Sequence, residues 1–259
     1  MSDVLAPGAP LDDLIPGAIN LRDLGGRRTA DGRTVRRGLL YRAGMTHHMP
    51  AEGLAELRDR LGVRTVIDFR NALELDRDGL APLADHGITH VHLPIEGSTV
   101  LTPEERKVVW EEMRLLQRDW TAAYQKILTD RPDVYVAFFA AIAAPGHLPA
   151  VFHCSAGRDR TGIAAALVLG LAGVDDDQIV EDYHLTGAYL PRHVERFAGH
   201  YTMMGMTPEE FARVLETDAA HMRRLLEGLR SEHGSVRSFL EYLGVPASTL
   251  RAVHEMLVV

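Results

Sequence analysis

The amino-acid sequence predicts an α/β fold: a central, mostly parallel sheet flanked by helices, with a helical lid or extension toward the C-terminus. Three features predict it. Short apolar runs suited to strands alternate with helical patterns through the first two thirds of the chain. One such run, Leu148 to Phe152, turns through a short glycine-bearing loop into Gly162–Gly173, which is apolar nearly all round and therefore belongs in a core. From Asp175 to Val259 the pattern reads as several helices, with Pro191, Pro208 and Pro246 near their starts.

The elements follow in order. Residues 1–18, rich in proline and glycine, form an irregular lead-in. Asp31-Gly32 separates residues 20–29 from the run Thr34 to Tyr41, which suggests a hairpin entering a strand. Leu54, Leu57 and Leu61 give Ala51 to Leu61 a helical face, with Pro50 near its start. Val63 to Phe69 reads as a strand buried on at least one face, and Ile88 to Leu93 as a second short strand. A charged helical pattern runs from Pro103 to Leu128, with Thr102 suited to cap it. Val134 to Ala144 is a small-residue helix closed by Pro145-Gly146. No repeat or low-complexity segment interrupts residues 1–259, which read as one domain.

Composition narrows the function classes. The chain is 46% hydrophobic and 25% charged, enough to bury a full core. Its formal net charge of −8 argues against a general nucleic-acid footprint, which needs a basic face. The same acidity disfavours anionic substrates at long range, so a phosphate site would need strong local positive potential. Cys154 is the one cysteine, so no disulfide forms within the chain, no resolving thiol serves a two-cysteine redox cycle, and a reducing compartment is expected. Met1 to Pro16 lacks a basic stretch followed by an apolar run, and no apolar stretch approaches bilayer length. The expected location is the cytoplasm, without a transmembrane segment.

The chemistry concentrates in Val151-Phe152-His153-Cys154-Ser155-Ala156-Gly157-Arg158-Asp159-Arg160-Thr161-Gly162. Cys154 followed by Arg160 is weak alone: 28 of 259 residues are Lys or Arg, so such spacing arises by accident about one time in ten. Context supplies the strength. A strand delivers the cysteine, a short loop carries Gly157, and a helix begins at the arginine. A loop of this shape aims its backbone N–H groups inward, making an anion-binding nest at a helix N-terminus. Dipoles and Arg160 then favour the thiolate form of a cysteine at the floor. The Arg160 guanidinium can fork onto two phosphoryl oxygens, and Thr161 is placed to hydrogen-bond the sulfur and ease its release. His153 is better suited to orienting the loop backbone than to acting as a base. Most free cysteines are merely small buried hydrophobes, but the strand, loop and helix together favour the chemical reading here.

His153-Cys154, Gly157 and Arg160-Thr161 at this spacing resemble the phosphate loop of the protein-tyrosine phosphatase superfamily, including its dual-specificity and phosphoinositide branches. Gly157-Arg158-Asp159-Arg160-Thr161-Gly162 is similar to the Gly-Lys-Asp-Arg-Thr-Gly of the bacterial tyrosine-phosphatase family of the mycobacterial phosphatase B type. Supporting matches are Pro16-Gly17-Ala18-Ile19-Asn20-Leu21-Arg22-Asp23, Tyr41-Arg42, Val66-Ile67-Asp68-Phe69-Arg70, Asp182-Tyr183 and Gly234 to Leu243. The resemblance spans roughly residue 14 to the C-terminus and implies the cysteine-phosphatase fold.

It also implies roles. Cys154 is the nucleophile and Arg160 the phosphate clamp, with Ser155, Ala156, Gly157, Arg158 and Thr161 contacting the substrate. Arg158 stands where the family usually has lysine, keeping a charge for a second anionic group. No Trp-Pro-Asp loop is present to supply a general acid. Asp159 is the first candidate, its bland alternatives being to orient Arg160 or cap the helix; Asp68 is the second, its bland alternative being an ion pair with Arg70 or Arg42. Asn20, Arg22 and Asp23 are expected behind the loop. The family places a helical lid at 190–230, where Met203, Met204, Met206 and Phe211 equally suit core filling.

Two other clusters invite blander readings. Arg27, Arg28, Arg33, Arg36 and Arg37 suit a solvated face better than a rim for anionic lipid or phosphopeptide. Among thirteen histidines, His47-His48, His90 and His92 lack metal-ligand spacing apart from the pair His90-x-His92, so neither metal nor other cofactor is expected.

The expected function is hydrolysis of phosphate monoesters on a phosphotyrosine-bearing protein or peptide, with dual-specificity or phosphoinositide activity as variants of the same loop and inhibition by phosphate-like oxyanions. A non-catalytic phospho-ligand module would be expected to lack nucleophile or clamp, and arsenate or sulfur-transfer chemistry would call for a different loop or more cysteines.

Overall fold

A computed structural model describes residues 6–95 and 121–259. Its five strands are β1 (Arg22–Asp23), β2 (Leu40–Ala43), β3 (Thr65–Asp68), β4 (Thr89–His92) and β5 (Ala150–His153), in the order β1-β2-β5-β3-β4. Only β1 runs antiparallel. The expected mostly parallel sheet flanked by helices is therefore the fold.

Register fixes the site. Ala43 of β2 and Asp68 of β3 both pair with His153 of β5, and Asp68 pairs in turn with His92. Four carboxyl ends thus finish level, with β5 in the middle, and the chain leaving β5 emerges between its neighbours. That edge is where open α/β sheets place their ligands.

Alternation along the strands builds two cores. Ile67 and Phe152 face one side, against Phe138 and Phe139 of α4 (Pro132–Ala143) and the apolar length of α5 (Asp159–Ala172). Val66 and Val151 face the other, against Leu54 and Leu57 of α1 (Ala51–Asp59). Gly173, at φ +86°, closes α5 in the left-handed conformation that glycine adopts freely.

The short helix α2 (Ala72–Asp78) buries none of its residues. A capping box holds it instead: Asn71 Oδ1 accepts from the Glu74 amide at 2.9 Å and Glu74 Oε2 accepts from the Asn71 amide at 2.8 Å. α3 (Thr121–Thr129) follows the undescribed stretch; the remainder of the charged helix expected over Pro103 to Leu128, with its Thr102 cap, lies outside the described residues.

The C-terminal half comprises α6 (Asp176–Tyr189), a 3₁₀ segment (Leu190–Phe197), α7 (Ala198–Met203), α8 (Pro208–Val214), α9 (Ala219–His233), α10 (Val236–Tyr242) and α11 (Ala247–Leu257). The expected lid region divides in two. Leu190, Phe197, Phe211 and Leu215 form a separate small cluster with Ile19 and Met45, with Ala156, Met204 and Met206 packed against it. Met222, Leu225, Leu226 and Leu229 of α9 instead enter the main core.

The expected hairpin forms, but the strand it enters begins later than expected. A turn does form at Asp31-Gly32, with the Thr29 amide donating to Arg33 O at 3.0 Å. The run Thr34 to Tyr41 does not continue as one strand, because Gly38 takes φ +73° and donates to Asp23 Oδ2. Thr34 bridges Arg28 across the hairpin, Val35 donates to Arg27 O at 2.9 Å and also bridges Val258, and β2 starts afresh at Leu40.

Candidate active site

Cys154 follows the last residue of the central strand and is buried. The next carbonyls all turn outward. His153 Nδ1 lies 2.9 Å from Cys154 O, the Met45 amide donates to Ser155 O at 2.8 Å, and Asn20 Nδ2 donates to Ala156 O and Gly157 O at 3.2 and 3.1 Å. Arg42 adds a second bond to Gly157 O at 2.7 Å. In a trans peptide, C=O and the following N–H point opposite ways. Holding these four carbonyls outward therefore turns the amides of Ser155, Ala156, Gly157 and Arg158 toward the centre of the loop. The result is an anion nest that opens onto the N-terminus of α5.

Gly157 cannot be replaced without moving the loop. It sits at φ +70°, and a Cβ there would come within 2.6 Å of Ala43 C and 2.7 Å of Gly44 N. Asn20 holds the same left-handed conformation at φ +55°, which asparagine tolerates better than most residues.

Behind the loop lies a buried charge cluster. Asp182 of α6 meets Arg22 Nε at 3.1 Å, Arg27 at 3.1 Å and Arg42 at 2.5 Å. Arg22 also donates to Asn20 Oδ1 at 2.5 Å, so it reaches the loop at one remove. Burial pushes Asp182 up, but the attraction of Arg22, Arg42 and Arg27 outweighs it and holds the carboxyl well below the usual range. Burial and the neighbouring Arg42 bring Arg22 down to about 10. Three guanidinium groups against the buried Asp182 and the exposed Glu181, 3.6 Å from Arg27, still leave excess positive charge behind the nest.

Arg160 lies beside the cysteine. Its two terminal nitrogens fork onto Glu74, each at 2.6 Å, and it also reaches the carbonyls of Phe69 and Ile95. Burial raises Glu74, but its bonds to Arg160 outweigh this and hold it below the usual carboxylate range. Asp159, at the start of α5, has a half-buried carboxylate. Tyr124 donates to its Oδ1, and Arg158 Nε stands 3.2 Å from both oxygens.

A family model described as the tyrosine phosphatase family matches residues 14–259. The chain belongs to that family. It is 32% identical over 239 residues to a protein of Cupriavidus necator named as a tyrosine-protein phosphatase, covering 90% of this chain and 84% of that one. It is 26% identical to the triple specificity protein phosphatase PtpB of Mycobacterium tuberculosis, covering 94% of this chain and 98% of that one. Among solved structures, the core catalytic domain of the PP-IP phosphatase Siw14 of S. cerevisiae superposes at 14% identity and a TM-score of 0.35, covering 73% of this chain and 86% of that one. The protein is thus a member of a phosphatase enzyme family. No helix among the described residues is long and apolar enough to cross a membrane.

Several residues singled out in the sequence sit differently from expectation. Asp68, the second candidate acid, is fully buried and pairs with Arg70 at 2.7 Å, with His90 and His153 at 3.5 and 3.7 Å. Burial raises it, but its interactions with His153, His90 and Arg70 outweigh burial and hold it far below the usual range, which suits an ion pair with Arg70 and not a proton donor. Asp23 does not touch the loop; its carboxylate accepts from the amides of Gly25 and Gly38. Arg158 does not project as a free anion receptor: it is buried, pairs with Asp159 and donates to Val214 O of α8. Thr161 Oγ1 is buried and bonds nothing among the described residues, the cysteine sulfur included. Arg27 leaves the expected solvated basic face for the Asp182 cluster, while Arg33 pairs with Asp31 at 2.7 Å. Ser155 Oγ lies 3.1 Å from His200 Nε2 of α7. His90 and His92 stack on one strand face, yet His92 bonds Arg70 O, and no group of three or more potential metal ligands exists among the described residues.

Glu74, Arg42, Asp182 and Tyr124 were not singled out as site residues. Arg42 and Asp182 stood inside family-like segments, so a signal existed. Glu74 carried only a helix-capping signal, and Tyr124 carried none.

Proposed function

We propose that this member of the tyrosine phosphatase family hydrolyses phosphotyrosine on proteins or peptides through a phosphocysteine intermediate on Cys154. The outward pinning of the loop carbonyls, which turns the amides onto one point above the cysteine, is the observation that carries the reading. The thiolate sulfur attacks phosphorus in line; the S–P bond forms as the bond from phosphorus to the phenolic oxygen breaks. Amides of the nest and Arg160 stabilise the spreading charge on the phosphoryl oxygens. Asp159 gives its proton to the departing oxygen and becomes a carboxylate. Water then attacks phosphorus, the S–P bond breaks, sulfur leaves as thiolate, and Asp159 takes the water's proton. Each group ends as it began, with the tyrosine phenol and inorganic phosphate released.

The internal pairing of Arg158 favours phosphotyrosine over a phosphoinositide, because a second phosphate would have to compete with Asp159 and the Val214 carbonyl. The 3₁₀ segment, α7 and α8 act as the lid of a single phosphatase domain, and the lone thiol suits work in the cytoplasm.

The test is turnover of a phosphotyrosine peptide and a phosphoinositide by wild type, Cys154→Ser and Asp159→Ala. Cys154→Ser should lose turnover while still binding vanadate or phosphate. Acid quench of wild-type enzyme with labelled peptide should trap phosphate on Cys154. Turnover surviving in Cys154→Ser, or label on another residue, defeats the mechanism; a faster rate on the lipid defeats the substrate class.

A further inference from the structure

Two buried phenols stand in line with Asp159. Tyr124 of α3 donates to Asp159 Oδ1, and the Tyr183 oxygen of α6 lies 2.6 Å from that of Tyr124. Tyr124 has one hydrogen, so while Asp159 takes it, the bond between the phenols runs from Tyr183 to Tyr124. Their rings meet edge to face with centroids 6.2 Å apart, and both are almost wholly buried. Burial, reinforced by the charge of Asp159, pushes Tyr124 well above its ordinary value and Tyr183 up to about 12. Both hydroxyls therefore keep their hydrogens at neutral pH.

We propose that Tyr124, aligned by Tyr183, is a positioning residue for the acid: it occupies Asp159 Oδ1 and leaves Oδ2 to carry the proton given to the departing oxygen. The proposal rests on Asp159 being the general acid.

The two oxygens of a carboxylate are equivalent until something distinguishes them. Arg158 Nε does not, since it lies 3.2 Å from each. It fixes the carboxyl without choosing an oxygen. Tyr124 chooses. With the proton on Oδ2, Oδ1 is a carbonyl-type oxygen and goes on accepting from Tyr124. With the proton on Oδ1, Tyr124 would have to turn its hydrogen to Tyr183, and the buried Tyr183 hydrogen would lose the acceptor that Tyr124 provides. The phenol hydrogens stay in place throughout, because the proton transferred is the one on Oδ2. Once the carboxylate forms, the same bond steadies its charge until water restores the proton.

Steady-state kinetics on phenyl phosphate, whose leaving group needs protonation, and on p-nitrophenyl phosphate, whose leaving group needs little, test this. The proteins are wild type, Tyr124→Phe, Tyr183→Phe, Asp159→Ala and the double variant Tyr124→Phe/Asp159→Ala. General acid catalysis contributes about 10²–10⁴-fold, and a misdirected proton forfeits part of it. Tyr124→Phe should lower kcat on phenyl phosphate about tenfold, change kcat on p-nitrophenyl phosphate less than about twofold, and leave KM and vanadate inhibition unchanged. Tyr183→Phe should give a smaller loss of the same kind. The double variant should be no slower than Asp159→Ala.

Equal losses on both esters, a KM change matching the kcat change, or a further loss in the Asp159→Ala background would overturn the positioning role. If Asp159→Ala discriminates between the esters and Tyr124→Phe does not, the inference alone falls. If Asp159→Ala itself loses equally on both, the acid assignment has failed and the inference goes with it. Should Tyr124→Phe not fold, Tyr183→Phe decides by the same comparison.

Discussion

Replacing Asp182 by Asn removes one negative charge from a place where it meets three buried guanidinium groups. The carboxylate is 1% exposed and lies 3.1, 3.1 and 2.5 Å from Arg22, Arg27 and Arg42. Bonds to charged partners contribute about 1.5–3 kcal/mol apiece, but these share one carboxylate and do not add. Breaking a buried pair, with the cations left uncompensated, costs about 3–5 kcal/mol. In a domain of this size each kcal/mol moves the midpoint by about 2–4 °C, so Asp182→Asn should lower the Tm by roughly 10 °C. Thermal unfolding followed by circular dichroism at pH 7 measures it, with a urea titration to check that the m-value is unchanged. The pH dependence has a definite sign. A carboxyl held below its unfolded value, here 3.8, contributes stability that is fully present above about pH 4 and is lost as the pH falls through the folded value. The wild-type and Asn curves should therefore stay apart at neutral pH and converge in acid. A drop under about 3 °C at pH 7, or a gap that widens on acidification, refutes the reasoning.

Two further outcomes follow from the same geometry. Glu74→Gln keeps an oxygen able to cap the Asn71 amide but removes the charged fork onto Arg160, whose bonds are 2.6 Å each; kcat/KM for a phosphotyrosine peptide should fall about ten- to a hundredfold, while helix content by far-ultraviolet circular dichroism stays the same. Gly157→Ala puts a Cβ within 2.7 Å of the backbone at Ala43 and Gly44 and demands φ +70° of a residue that disfavours it; displacement of the loop should cut turnover by about a hundredfold or more, and vanadate should no longer protect Cys154 from alkylation.

What the sequence showed of this protein divides by the range of the interactions. The loop from Cys154 to Thr161 was legible because its geometry is local: strand, glycine and helix start are adjacent, and the shape follows from them. Helix α1 was legible from Leu54 and Leu57, both buried as the spacing required. Strand β2 was misplaced because its start depends on Gly38 turning to meet the Asp23 carboxylate, a contact across fifteen residues. Arg27 and Arg33 looked alike in sequence. One is buried against Asp182 from 155 residues away, the other pairs with Asp31 two residues away, and only tertiary structure separates them. The same holds for Asp159 and Asp68. Both lie at the ends of elements near the site, yet the buried ion pair with Arg70, flanked by His90 and His153, suits Asp68 to the role of a structural anion.

The distribution of charge answers the difficulty posed by a chain of net charge −8 receiving a dianion. Arg160 arrives already paired with Glu74 and contributes direction more than uncompensated charge. The uncompensated charge sits one layer back, where Arg22, Arg27 and Arg42 exceed Asp182 and Glu181. Being buried, it is screened by salt far less than a surface patch would be. Arg42 carries it to the nest directly through the Gly157 carbonyl, the carbonyl that also receives Asn20. One contact thus both orients the amides and brings the positive charge close to them. That is why the loop can work on an acidic protein, and why its electrostatics depend on residues whose side chains never reach the substrate.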